Sequence, residues 1–210
     1  LATQWQAESN RQLEDTVLQS QRRAVLLQAG IEVSRAVARI RDLNALLPQI
    51  TQLISQNFGY YHTGIFLVDE AGRYAVLRAA NSEGGQRMLA RHHRLLVGSE
   101  GIVGYVMQTG QPRVALDVGE DSTYFDNPDL PETRSELALP LRVGDRMLGA
   151  LDVQSRQPDA FTEEDVDVLT ALAGQVAIAI DNASLFQQTQ EALEEAREAQ
   201  QRYMQEHWTR

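Results

Sequence analysis

Three polar side chains, Glu136, Asp152 and Gln154, are the residues whose types and spacing could do chemistry together. They belong to the stretch SELALPLRVGDRMLGALDVQS, Ser135 to Ser155, which reads as two strands closed by a tight turn at Gly144, Asp145 and Arg146. If that turn is a three-residue loop, Val143 faces Met147. One sheet face then carries Leu137, Leu139, Leu141, Val143, Met147, Gly149, Leu151 and Val153, all apolar, and the other carries Glu136, Ala138, Pro140, Arg142, Leu148, Ala150, Asp152 and Gln154. A two-residue loop at Gly144-Asp145 would shift one strand by one position and mix the two sets, so the segregation favours the three-residue turn. The polar face can bind a ligand amine, amide or ring N–H, because a carboxylate in a partly dry site needs a donor. The alternative is that these side chains are exposed or pair with Arg134 and Arg142, leaving no free site.

Apolar residues elsewhere could wall such a site: Phe66 in an early strand, then Ile102, Val106, Leu116, Tyr124 and Phe125. All are equally explicable as ordinary core. The candidate ligand-binding set is therefore Phe66, Ile102, Val106, Leu116, Tyr124, Phe125, Arg134, Glu136, Ala138, Asp152 and Gln154. Arg87, Arg91 and Arg94 form a local basic cluster, either a solvated face or a receiver for a ligand carboxylate or phosphate. The histidines are His62, His92, His93 and His207; His62 at a strand start and His92-His93 beside arginines read as solvated or loosely packed rather than as ligands. No catalytic residue, metal ligand or cofactor is expected. There is no GxSxG elbow, no HExxH and no histidine beside an obvious nucleophile, so the chain is expected not to be an enzyme.

Composition narrows the classes further. The chain has 210 residues, 43% of them hydrophobic, no cysteine, and only arginine among its nineteen basic residues. Lack of cysteine excludes disulfides, thiol catalysis and thiolate metal sites, and lack of lysine excludes Schiff-base chemistry and a Walker A loop. A net charge of -10 disfavours nucleic acid and anionic membrane as partners. The longest uncharged apolar run, Val168 to Ile180, is shorter than the roughly 20 residues of a membrane span, and no secretory pattern opens the chain. A cytoplasmic location is expected, for what reads as a piece excised within helices.

The positioning elements follow from periodicity. Leu1 to Arg41 carries helical stripes at Leu13, Val17, Ala24, Leu27 and Ile31 and at Leu26, Val33, Val37 and Ile40, which reads as a solvated linker helix or a parallel dimer seam. Asp42 or Asn44 can cap a helix through Leu43, Leu46, Leu47, Ile50, Leu53, Ile54 and Phe58 that Gly59 ends. Strands are expected at Thr63–Asp69, Tyr74–Ala80, Arg94–Val97 and Arg113–Val118, with short helices at Ser82–His93 and Gly101–Thr109. Gly98, Gly101 and Gly104 resemble a phosphate loop only weakly. Gly119 to Glu132 reads as a loop laid across the domain. Thr162 and Asp165 form a capping box, and the helix they open presents Val166, Leu169, Leu172, Val176, Ile180 and Ala183 to the apolar hairpin face. Beyond Phe186 no heptad register can be chosen.

From about Val33 to Phe186 the chain resembles a GAF domain, the small-molecule sensor module of bacterial signalling proteins. The resemblance is carried by YYHTGIFLVDEAG at Tyr60 to Gly72, GSEGIVGYV at Gly98 to Val106, TRSELALPLRVGDRMLGALDVQS at Thr133 to Ser155, and FTEEDVDVL at Phe161 to Leu169. It implies an α+β fold with a central antiparallel sheet of about six strands, terminal helices on one face, and a ligand pocket on the other under short helices and loops. It also implies a parallel homodimer through the terminal helices, coupling an unidentified small molecule to an output domain C-terminal to the chain. The expected division is a linker helix at 1–41, the domain at 33–186 and a C-terminal linker helix at 187–210. Cyclic-nucleotide relatives carry a lysine and a glutamate that are missing here, where Val166 and Gln154-Ser155 stand. Bilin-attaching and methionine-sulfoxide-reducing relatives use cysteine, which is also missing. The expected function is thus a ligand-sensing regulatory module, with a ligand-free dimerisation and relay module as the alternative.

Overall fold

The computed structural model describes residues 42–98, 101–118 and 127–208, and in the N-terminal segment residues 16, 17, 20, 21, 23, 24, 27, 28, 30–33 and 35, all of them helical. The rest of the expected N-terminal helix lies outside the described residues. Helix α1, Leu43–Phe58, opens on Asp42, whose carboxylate accepts the Asn44 N–H, and closes on Gly59 at φ 74°, a left-handed conformation natural to glycine. Helix α4, Glu163–Trp208, opens on the expected box: the Thr162 N–H donates to Asp165 Oδ2 at 2.9 Å, and the Asp165 N–H donates to Thr162 Oγ1 at 3.3 Å. At 1.5 Å per residue its 46 residues span about 69 Å. One 18-residue window of α4 has a mean hydropathy of 1.4, enough by length and composition to cross a membrane. Leu169, Leu172, Val176 and Ile180 in that window are instead buried in the domain core.

Between these helices run β1 (His62–Val68), β2 (Tyr74–Ala80), α2 (Glu83–Ala90), β3 (Arg94–Leu96), α3 (Gly101–Thr109), β4 (Arg113–Ala115), β5 (Ser135–Val143) and β6 (Arg146–Ser155). The strands form one antiparallel sheet in the order β3-β2-β1-β6-β5-β4. Each face has its own core, as period-two alternation requires. On one face Leu46, Ile50 and Ile54 of α1 and Leu169, Val176 and Ile180 of α4 pack with Ile65, Leu137, Leu139, Leu151 and Val153. On the other, Met88 of α2 and Ile102, Val103 and Val106 of α3 pack with Phe66, Leu77, Ala138 and Ala150.

The β5–β6 turn corrects the sequence reading. Val143 pairs with Arg146, so the loop is the two residues Gly144-Asp145, with Gly144 at φ 58°. The mixing of faces that such a loop should cause does not happen, because Arg142 pairs with Met147 and Leu141 with Gly149, leaving Leu148 as a bulge. The extra residue restores the expected register, with Leu139 opposite Leu151 and Leu137 opposite Val153. Only the residues beside the turn are exchanged: Leu148 packs into the helical-face core and Met147 against the opposite one. Leu151 is fully buried under α1 and α4, so Leu151→Ala is expected to lower stability by roughly 2–5 kcal/mol through lost contact and a residual cavity, measured by urea unfolding.

Candidate functional site

The strand pair brings the three polar residues together on the face away from α1 and α4. Glu136 lies opposite Gln154 and Ala138 opposite Asp152. Glu136, Asp152 and Gln154 are 5%, 2% and 6% exposed, so the exposed-face alternative does not hold. Arg134 turns instead to Asp117, at 3.1 Å, and Arg142 is exposed. The polar groups form a chain: Thr133 Oγ1 donates to Gln154 Oε1 at 2.6 Å, Gln154 Nε2 donates to Asp152 Oδ2 at 2.8 Å, and the Glu136 side chain is hydrogen-bonded to Asp152. Asp152 Oδ1 is buried and meets no N–H or hydroxyl donor among the described residues, and the Glu136–Asp152 bond joins two carboxyls, so one of them holds a proton.

These groups floor a cavity of about 30 Å³, roofed by Met88 of α2, Ile102 and Val103 of α3, and Asn127 and Leu130 of the loop before β5, with Phe66, His93 and Leu95 at its sides. That volume holds about one or two waters, since one needs roughly 10–15 Å³. Of the sequence candidates, Phe66, Ile102, Glu136, Asp152 and Gln154 line the cavity. Val106 and Ala138 are buried in the adjoining apolar core without lining it. Leu116, 48% exposed, and Arg134 lie outside it, because β4 stops at Ala115 and Arg134 precedes β5. Tyr124 and Phe125 fall outside the described residues. Of the basic cluster, Arg87 and Arg91 pair with Asp129 and Arg94 stacks on Tyr74.

His62 overturns the reading of a solvated side chain. It is fully buried, with Nδ1 2.7 Å from Ser82 Oγ and Nε2 3.8 Å from Asp152 Oδ2. The strand alternation that puts Phe66 on the cavity side puts His62 there too, a signal present in the sequence. Burial lowers the His62 pKa to about 4. Burial likewise raises Asp152 to about 7, against hydrogen bonds with Gln154 and Glu136 that pull it down. The His62–Asp152 contact is too long for a hydrogen bond, and desolvation drives both partners toward their neutral forms, so it is not an ion pair.

The family model for the GAF domain matches residues 40–181. The chain belongs to the GAF family. That family is one of regulatory and sensory modules. The GAF domain of a phosphoenolpyruvate-protein phosphotransferase from Coxiella burnetii superposes with a TM-score of 0.70 at 21% identity, covering 78% of this chain and 96% of that one. The GAF domain of the corresponding Acinetobacter phosphotransferase gives 0.66 at 21%, covering 78% and 97%. A free methionine-R-sulfoxide reductase from Neisseria meningitidis, in complex with its substrate, gives 0.68 at 23%, covering 78% and 93%. At these identities the likeness is one of fold. A search of curated proteins finds no match. The reductase corrects the expectation that the chain is not an enzyme: the same fold carries catalysis, so lacking a familiar motif is no ground for excluding it.

The two shifted groups predict opposing pH dependences. Asp152, raised from 3.8 to about 7, binds its proton more tightly in the folded state, so its contribution to stability falls as pH rises through that window. His62, lowered from 6.5 to about 4, binds its proton more tightly in the unfolded state, so its contribution is lost as pH falls through that window. Where the windows overlap the slopes oppose each other. Urea midpoints measured against pH should therefore fall more steeply toward acid in Asp152→Asn, which removes the opposing slope, and toward neutral pH in His62→Gln, where the Asp152 slope is unopposed.

Proposed function

We propose that this domain is the sensory module of a signalling protein. Its ligand is a small molecule presenting an ammonium, amidine or ring N–H group to Glu136, Asp152 and Gln154, with an apolar body against Phe66, Ile102 and Leu130. The observation that carries this reading is the pair of buried acids, Glu136 and Asp152, bonded to each other in a cavity otherwise walled mainly by apolar side chains. A desolvated acid pair is costly, and a donor brought by a ligand would offset that cost. The cavity's size of about 30 Å³ favours a second reading, a relay module whose pocket stays collapsed. A thermal-shift screen of small amines, amidines and N-heterocycles separates the two. A stabilising compound whose shift disappears in Asp152→Asn is expected on the first reading, and no shift from any compound on the second.

The output lies C-terminal to the chain in this proposal, and the terminal helices relay the ligand state to it within a parallel homodimer. Support comes from the outer face of α4, where Ala171, Ile178, Leu185 and Ala192 recur every seven residues and Ile178 and Leu185 are 54% and 50% exposed. Beside that stripe an apolar groove of about 400 Å³ runs between Leu27, Gly30 and Ile31 of the N-terminal segment and Val168, Ala171 and Leu172 of α4. A second copy in parallel would set identical stripes against each other and bring both C-termini to one end. Light scattering is expected to give a dimer for the full chain and a monomer for Ile178→Glu/Leu185→Glu. A full chain that stays monomeric at high micromolar concentration rules the dimer out.

A further inference from the structure

The cavity over Asp152 is too small for a molecule with an N–H donor and a carbon skeleton, so one of its walls must move before it can fill. The walls differ in how they are held. The floor belongs to β5 and β6, paired along their length and packed on α4, and α3 is buried through Ile102, Val103 and Val106. Residues 127–132 have neither sheet nor helix bonds to hold them. They rest on α2 by side chains: Arg87 Nε donates to Asp129 Oδ1 at 3.0 Å, Arg87 Nη2 donates to the Asp129 carbonyl at 3.2 Å, and Arg91 pairs with the same carboxylate. Asn127 Nδ2 donates to Met88 Sδ at 2.8 Å, and Leu130, 2% exposed, plugs the cavity.

The surface of α2 is shaped to receive this segment. A Cβ on Gly84 would lie 2.0 Å from the Asp129 carbonyl oxygen, so only glycine permits the seating. The arginines are 58% and 47% exposed in their side chains, and pairs this open to water are individually weak and screened by salt. Downstream the segment is tied by the buried Thr133–Gln154 hydrogen bond, beside an Arg156–Glu132 pair as exposed as the latch arginines. The end that covers the site thus rests on pairs reached by solvent, and the end that joins β5 on a buried hydrogen bond.

We propose that residues 127–132 are a gate over the Glu136–Asp152–Gln154 site, latched shut by Arg87 and Arg91 on Asp129, and that the site is reached only when this latch releases. The gate's purpose rests on reading the cavity as a ligand site, but its opening is measurable with no ligand. The chain has no cysteine, so a single introduced thiol reports local exposure. Val103→Cys places one in the cavity wall, and Val176→Cys places a control in the core on the other sheet face. Labelling by a small aromatic disulfide is followed in the full chain. With Asp129→Ala, with Arg87→Gln/Arg91→Gln, and in high salt, labelling at position 103 is expected to accelerate roughly tenfold while that at 176 stays unchanged. No acceleration at 103, or equal acceleration at both positions as in global unfolding, overturns the gate. A gate that opens while no amine shifts the melting temperature would leave the latch standing and remove the ligand reading.

Discussion

The register of β5 against β6 is the constraint on which the rest of this domain depends. The two strands are buried on both faces, and the faces have opposite chemistry: Leu137, Leu139, Leu151 and Val153 toward α1 and α4, Glu136, Asp152 and Gln154 toward α2 and α3. A one-residue slip of β6 alone would drive Asp152 and Gln154 into the helical core and turn Leu151 and Val153 onto the polar floor. Each unpaired polar group buried that way costs on the order of 1–3 kcal/mol, a sizeable fraction of the whole stability of a domain. The bulge at Leu148 prevents the slip by supplying the one residue that the two-residue turn omits. Turn and bulge are therefore one device, and neither alone gives this fold.

With register fixed, burial decides the electrostatics. His62 and Asp152 come within 3.8 Å from neighbouring strands, and each is forced toward its neutral form by the same absence of water. Perturbed groups of this kind concentrate where proteins bind or react, because an apolar structure would be more stable without them. The polar chain from Thr133 through Gln154 to Asp152 extends that environment to the end of the segment that roofs the cavity. Floor and roof thus share a hydrogen-bonded residue, Gln154.

Local signals made most of the fold legible. The Asp42 and Thr162–Asp165 caps, the Gly59 stop and the alternation in β1, β2, β5 and β6 are each decided within a few residues, and the structure has them where spacing placed them. What was illegible depended on residues far apart. The turn length is not legible because Met147 and Leu148 are both apolar, so composition does not tell which one faces which core. The alternation in β1 places His62 on the cavity side, but its partner Ser82 lies twenty residues away, beyond any local pattern. Asn127 and Leu130 reach the cavity from a loop whose Asp129 pairs with Arg87, 42 residues away, a contact that no local pattern contains. Absent motifs speak only for the chemistries those motifs serve, and so do not decide catalysis.

The connection from β6 to α4 gives this arrangement mechanical consequence. Only residues 156–162 separate strand from helix, and they are bonded at several points: Ser135 Oγ donates to the Gln157 carbonyl, the Gln157 N–H donates to Ser155 Oγ, and the Asp159 N–H donates to the Leu116 carbonyl. Asp165, in the first turn of α4, is itself buried and holds Thr162. A slack linker would absorb a strand displacement; one tied at this many points suits the relay proposed for α4. Gln154 is one residue from the end of β6, bonded to the roof through Thr133 and to the acid pair through Asp152. On the proposed sensing role, a ligand that competes for the Gln154 amide would act at the junction of cavity, roof and α4, and its relay would need only two positions of one strand end rather than a path through the packed sheet interior.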